Sequence, residues 1–152
     1  MSQFIHIMSF SGAFYTCFYD KNIKQFGNSH HKFHCIVLMN VLHEVNVLEW
    51  SETFIEIYNL LDDGGFLLIF EVHFLLHGEQ PWGDNGYLLL GEEQIQQLFL
   101  SDTISNVSFN ERDKTSFFVI PKESLAKVTP QSIYNAIIAL LYLPSLLFQK
   151  HP

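Results

Sequence analysis

Two apolar runs separated by a helix-like segment constrain the fold of this chain more than any other feature. The first run, HCIVLMNVLHE, covers 34–44, and the second, LLDDGGFLLIFE, covers 60–71. Residues 35–41 are apolar except for Asn40, without the alternation of a strand that faces water on one side. Strands covered on both faces are typical of the inside of a parallel sheet. The two runs therefore predict neighbouring buried strands at 35–41 and 66–72.

The segment between the two runs has the spacing of an amphipathic helix. Asn46 and Ser51 are both suitable N-caps for it. Gly64 and Gly65 predict its end, because glycine adopts the left-handed conformation at little cost. A strand, a helix and a parallel strand form a βαβ unit with a right-handed crossover. The apolar residues expected on the inner face of the helix are Trp50, Phe54, Ile57, Tyr58 and Leu61.

The second half of the chain predicts shorter elements around a long loop. Residues 73–86 contain three glycines and a proline, which predicts a loop long enough to be functional or mobile. The glutamate pair at 92–93 suits the first turn of a short helix, where the helix dipole favours negative charge. The stretches 107–109 and 115–120 predict an antiparallel hairpin. Thr129, followed by a proline, is expected to start the last helix.

Length, charge and composition exclude several classes of protein. A chain of 152 residues that is 48% hydrophobic can form one domain, 1–152, with a real core. Its net charge of −8 argues against a nucleic-acid partner, which would require clustered basic residues. Two cysteines make no disulfide framework, which favours a cytoplasmic location and an inert core thiol at Cys35. The apolar run at 136–148 is interrupted by Pro144 and is shorter than the ~20 residues of a membrane span, so no membrane partner is expected.

Four segments occur in a characteristic order between about 32 and 122. They are KFHCIVLMNVLHEV, LLDDGGFLLIFE, YLLLGEEQIQQLF and FNERDKTSFFVIPK. The first resembles the Phe-Asp, apolar strand and Asn-x-Leu-His-Glu pattern of class I S-adenosylmethionine-dependent methyltransferases. The second resembles their Leu-Leu-x-x-Gly-Gly-x-Leu-Leu-Ile-x-Glu segment, and the last two resemble their following helix and closing hairpin. The resemblance implies an α/β fold with a partial doubly wound, Rossmann-like sheet, mainly parallel with a C-terminal antiparallel hairpin.

The chain also departs from the family pattern. It has no Gly-x-Gly-x-Gly turn after a first strand, and no identifiable acidic residue that would end a second strand and bind ribose. Gly64 and Gly65 are predicted to stop a helix, so they do not replace that turn. His34 stands where the family has its aspartate. We therefore expect a domain truncated or replaced on its N-terminal side, whose intact relative methylates a small molecule.

The resemblance implies S-adenosylmethionine as cofactor and a small-molecule methyl acceptor. Ligands of open α/β sheets bind beyond the carboxyl ends of the strands. His43 and Glu44 would face the acceptor there, since a histidine beside a carboxylate can act as a general base. The alternative for these two residues is a role in solvating or capping the next helix. The implied cofactor contacts are His34, Asn40, Val41 and Leu42.

The predicted acceptor contacts lie at the second strand end and on the long loop. They are Glu71, His73, Trp82 and Tyr87, and the alternative for the two aromatic residues is to cover the sheet edge. Neither the histidines and glutamates around 71–79 nor the histidines at 30–34 match a metal motif, so no metal site is predicted.

The sequence is compatible with two other functions. One is a non-catalytic remnant or interaction domain that has lost cofactor binding and self-associates through an exposed sheet edge. The other is a nucleotide- or NAD-linked α/β enzyme, for which the glycine fingerprint is missing.

Overall fold

A computed structural model describes residues 5–11, 15–21, 32–72, 88–107 and 115–147. The described residues form an α/β structure with a mixed three-stranded sheet, which confirms the predicted class at that level. In chain order the elements are β1 (Ile5–Ser11), β2 (Tyr15–Lys21), β3 (Phe33–Met39), two 3-10 turns (Leu42–Glu44 and Val47–Glu49), α1 (Trp50–Leu60), β4 (Leu61–Val72), α2 (Glu92–Phe99), β5 (Thr115–Pro121), α3 (Lys122–Leu125) and α4 (Pro130–Leu147).

The three-stranded sheet has the order β3-β4-β5. β3 runs parallel to β4, with Met39 opposite Phe70, and α1 connects the two strands. The parallel neighbours predicted from the two apolar runs are therefore confirmed. β5 is antiparallel to β4, with Thr115 opposite Val72. One parallel and one antiparallel pairing make this sheet mixed, where the sequence predicted it to be mainly parallel.

The antiparallel end of the sheet differs in part from the predicted hairpin. The partner strand of β5 is β4. On the other side of β5, the Val107 amide donates to the Phe117 carbonyl at 2.8 Å, so one residue of the predicted 107–109 strand lies beside it. Residues 108–114 lie outside the described part of the chain. A separate antiparallel pair, β1 with β2, lies next to β3.

The two glycines after α1 do not end that helix. Leu60 is its last residue, and Leu61 is already extended and begins β4. Between the pairs Phe33–Leu61 and Cys35–Phe66 the register shifts, because β4 contains more residues than β3 there; this irregular segment is called the bulge of β4 below. Gly64 lies in the bulge with φ +77°. A bulge needs a left-handed residue as much as a helix end does, and glycine adopts that conformation at little cost. The two glycines therefore lie within β4, which begins at Leu61, before the predicted strand start at 66.

The core fills the space between one face of the sheet and the helices. Phe54 is fully buried, and its ring packs at 5.1 Å from the Phe99 ring and 6.4 Å from the Trp50 ring. Tyr58, predicted on the inner face of α1, is 36% exposed and lies under the Lys122 ammonium. It sits one residue past Ile57, and ~100° per residue turns it away from the core. Sheet residues of the core include Ile36, Leu38, Leu67, Ile69, Phe118 and Ile120.

The last helix begins where the sequence predicts. Thr129 Oγ1 accepts a hydrogen bond from the Ser132 amide at 3.1 Å, and the Thr129 amide donates to Ser132 Oγ at 2.9 Å. These reciprocal bonds satisfy amides that a helix start otherwise leaves unpaired. α4 then continues to Leu147, so Pro144 interrupts the apolar run in sequence and does not end the helix. Among the described residues, no helix has the length and apolarity needed to cross a membrane.

Candidate functional site

The carboxyl ends of β3 and β4 lie side by side at one edge of the sheet. Beyond the pair Met39–Phe70, the Asn40 amide donates to the Phe70 carbonyl at 2.8 Å. Asn40 then takes a left-handed conformation with φ 50°, which asparagine tolerates better than most residues. β3 therefore ends at Met39, two residues before the predicted strand end at 41, and the chain leaves the sheet in a tight turn at Asn40.

A buried carboxylate holds that turn. Glu71 is 3% exposed, and its Oε1 accepts hydrogen bonds from the Val41 amide at 3.1 Å and the Leu42 amide at 2.7 Å. Its Oε2 is hydrogen-bonded to Nδ1 of His43. Hydrogen bonds to a charged acceptor are stronger than neutral ones, and a low-dielectric site strengthens them further. Glu71 at the end of β4 thus fixes the backbone that follows β3.

The same contact fixes the orientation of the His43 ring. A carboxylate can only accept hydrogen bonds, so Nδ1 of His43 carries the hydrogen that lies between the two side chains. In the neutral ring, the lone pair is then on Nε2, an assignment that follows from the hydrogen-bond pattern. His43 is 8% exposed and lies in the 3-10 turn Leu42–Glu44. The result is a buried histidine–carboxylate pair at the carboxyl edge of two parallel strands.

The structure brings five of the predicted site residues together at this edge: Asn40, Val41, Leu42, His43 and Glu71. Glu71 is predicted from sequence to contact the acceptor, whereas in the structure both of its oxygens bond to the turn after β3. The carboxylate beside His43 in space is thus Glu71. Glu44, its neighbour in sequence, lies in the same 3-10 turn, and its side chain is not among those described.

His34 does not join this group. It lies at the start of β3, where Nδ1 is 3.2 Å from Oδ1 of Asp62. At ~3.3 Å per residue, the strand carries Asn40 about 20 Å away from it. The predicted contacts His73, Trp82 and Tyr87 lie outside the described residues. Within the described part of the chain, no group of three histidine, cysteine or acidic residues could hold a metal ion.

The contact between Glu71 and His43 is absent from the sequence prediction, although a signal for it exists. Leu67, Ile69 and Glu71 alternate along β4 and therefore point to the same face of the sheet. The first two lie in the core, so the carboxylate is buried with them and must find hydrogen-bond donors. The backbone and side chain that follow the neighbouring parallel strand are the nearest source of donors.

No protein-family model matches this chain, and no curated protein matches it. The resemblance to methyltransferases consequently rests on the four motifs, and the activity it implies is a proposal.

Proposed function

We propose that this chain is an S-adenosylmethionine-dependent methyltransferase-like domain that acts on a small-molecule acceptor. The buried pair of His43 and Glu71 carries the proposal. It lies at the carboxyl edge of two parallel strands, which is the edge where open α/β sheets bind their ligands. A Rossmann-like arrangement of the whole domain and a cytoplasmic location belong to the same proposal.

Asn40 is the described residue best suited to hold the cofactor at this edge. It is exposed, and its side-chain amide can both donate and accept hydrogen bonds. The amides of Val41 and Leu42 are already bonded to Glu71, so their contribution is to fix the position of the turn. By the resemblance to methyltransferases, this turn would line the methionine end of the cofactor. When bound, S-adenosylmethionine would supply an electrophilic methyl group on a positively charged sulfur, which keeps the electron pair of the broken bond.

His43 would handle the proton of the acceptor. When an acceptor oxygen or nitrogen forms its bond to the methyl carbon, it must lose a proton. Nε2 of His43 would take that proton, while Nδ1 keeps its hydrogen on Glu71. The buried carboxylate would stabilise the resulting imidazolium and keep the ring oriented. Glu71 is therefore a positioning residue in this proposal, and His43 is the base.

Calorimetric titration tests the cofactor half of the proposal. We expect the full chain to bind S-adenosylmethionine and its demethylated product with micromolar dissociation constants. Asn40→Gly should weaken both, because it removes the exposed amide at the edge while glycine tolerates the left-handed backbone of the turn. His34→Gln is the matched control, because His34 lies about 20 Å along β3 and should leave binding unchanged. Absence of heat with both ligands at millimolar concentration would contradict the proposal.

A non-catalytic interaction domain is the second candidate, and one observation favours it. On the face of the sheet opposite the core, Met39 is 47% exposed and Val119 is 44% exposed. The rings of Phe70 and Phe117 pack at 4.4 Å on that face and are partly buried. Exposed apolar patches often mark protein interfaces. A dimer on sedimentation that Val119→Lys dissociates, with no cofactor binding, would support this candidate.

A further inference from the structure

An apolar groove lies between the segment 47–51 and the first turns of α4. Its volume is about 320 Å³. That volume is at the lower end of the range for small-molecule sites, and it corresponds to about ten water molecules at ~30 Å³ each. The side chains along its two walls include Val47, Leu48, Ser51, Ile133, Tyr134 and Ile137.

Both walls of the groove are fixed by local hydrogen bonds. On one side, Asn46 Oδ1 accepts from the Leu48 amide at 3.0 Å, which caps the 3-10 turn Val47–Glu49. On the other side, the reciprocal bonds of Thr129 and Ser132 hold the start of α4. Ile133 is 8% exposed and belongs to the core. A ligand would therefore find the site already formed and would avoid much of the cost of ordering it.

The lining determines the charge of the ligand. Among the described residues, seven line the groove, and none of these seven carries a formal charge. An ionised ligand would lose hydration there without gaining a partner, and an anion would in addition meet a chain of net charge −8. Ser51 and Tyr134 provide hydroxyl groups that can donate or accept one hydrogen bond each. We propose that the groove binds a neutral, mostly apolar small molecule that has one hydrogen-bonding group.

The groove begins in the connection that also carries the candidate site. Val47 follows His43 by four residues, and both lie in the segment that leaves the carboxyl end of β3. Neither His43 nor any of the proposed cofactor contacts lines the groove, so binding of the groove ligand does not rest on the proposed function.

Fluorescence titration with N-phenyl-1-naphthylamine, a neutral apolar probe, tests the inference without any cofactor. We expect saturable enhancement with a micromolar dissociation constant. Leu48→Glu should weaken binding at least tenfold by placing a charge at the rim, and Leu48 is 86% exposed, so the protein should still fold. Ser51→Leu should also weaken it by filling the groove. Ile55→Glu makes the same change at a 56% exposed position of α1 outside the groove and should leave binding within twofold.

Two outcomes would overturn the inference. One is equal binding in Leu48→Glu and Ile55→Glu, which would place the probe elsewhere. The other is a dimer by sedimentation that Leu48→Glu alone dissociates, which would make the groove an interface between copies. Failure of the chain to bind S-adenosylmethionine would contradict the proposed function and would leave the probe result unaffected.

Discussion

Removal of the Glu71 carboxylate is the most direct test of how the candidate site is built. Glu71 accepts hydrogen bonds from the amides of Val41 and Leu42 and is bonded to His43, all in a buried site. In Glu71→Ala, two backbone amides and one ring nitrogen lose their acceptor. Each orphaned buried donor costs about 1 to 3 kcal/mol. Three such donors would cost about 3 to 9 kcal/mol together if none of them found another acceptor.

We therefore expect Glu71→Ala to lower the free energy of unfolding by about 4 kcal/mol, near the lower end of that range, because Val41 is only half-buried and its amide can bond to water instead. Domains of this kind are stable by only about 5 to 15 kcal/mol, so the variant would be close to unfolding. Glu71→Gln is the milder change, because its oxygen can still accept from the two amides. Its loss should be about 2 kcal/mol, since the charge and one acceptor are gone.

Equilibrium unfolding in urea, followed by far-ultraviolet circular dichroism, measures these differences. Asp63→Asn is the matched control, because it also neutralises one carboxylate and Asp63 is fully exposed beside Lys122. It should leave the transition midpoint unchanged. If the free energy of unfolding of Glu71→Ala lies within about 1 kcal/mol of the wild-type value, the carboxylate does not hold the turn that follows β3.

Three further predictions concern the fold around the site. Phe54→Ala should cost about 3 to 5 kcal/mol in urea unfolding, because it empties a fully buried position, whereas Ile55→Ala at a 56% exposed position should cost less than about 0.5 kcal/mol. Gly64→Ala should cost about 1 to 2 kcal/mol by the same measurement, because Gly64 has φ +77° in the bulge of β4. Burial raises the pKa of the Cys35 thiol from 9.0 to about 11. Iodoacetamide at pH 8 should therefore alkylate Cys35 only in urea. The free energy of unfolding should fall between pH 9 and pH 11, because the thiol ionises first in the unfolded chain. Rapid alkylation of Cys35 itself in the folded chain at pH 8, distinguished from Cys17 by mass spectrometry of the peptides, would contradict its burial.

The sequence predicts the parts of the fold that depend on burial along one element. The run at 35–41 leaves no polar face, and this absence of alternation predicts a strand buried on both faces, as residues 35–38 of β3 are. The same pattern is typical of an inner strand, but β3 lies at the edge of the sheet β3-β4-β5. Glu92 and Thr129 lie at the starts of their helices as predicted, because capping depends on residues within one turn. Burial patterns and helix caps can be predicted without knowing which other elements pack nearby.

Local burial and capping patterns do not predict the bulge of β4. Asp-Asp-Gly-Gly after an amphipathic helix can end the helix or bend the next strand, since both need a left-handed residue. The pairing of Phe33 with Leu61 decides between them, and that pairing is a property of the sheet. Tyr58 is a different case, because it lies one residue past Ile57 and the ~100° turn per residue already directs it away from the core.

The candidate site and the register of the sheet are set by the same constraint. Side chains alternate between the two faces of a strand, so a slip of one residue between β3 and β4 would move Glu71 to the opposite face, with Leu67 and Ile69. Phe66, Leu68, Phe70 and Val72 would take their places, so apolar burial alone distinguishes the two registers only weakly. The amides of Val41 and Leu42 would lose their acceptor, so the buried carboxylate favours the observed register. Alignment of the two parallel strands is therefore sufficient to bring Glu71 and His43 together.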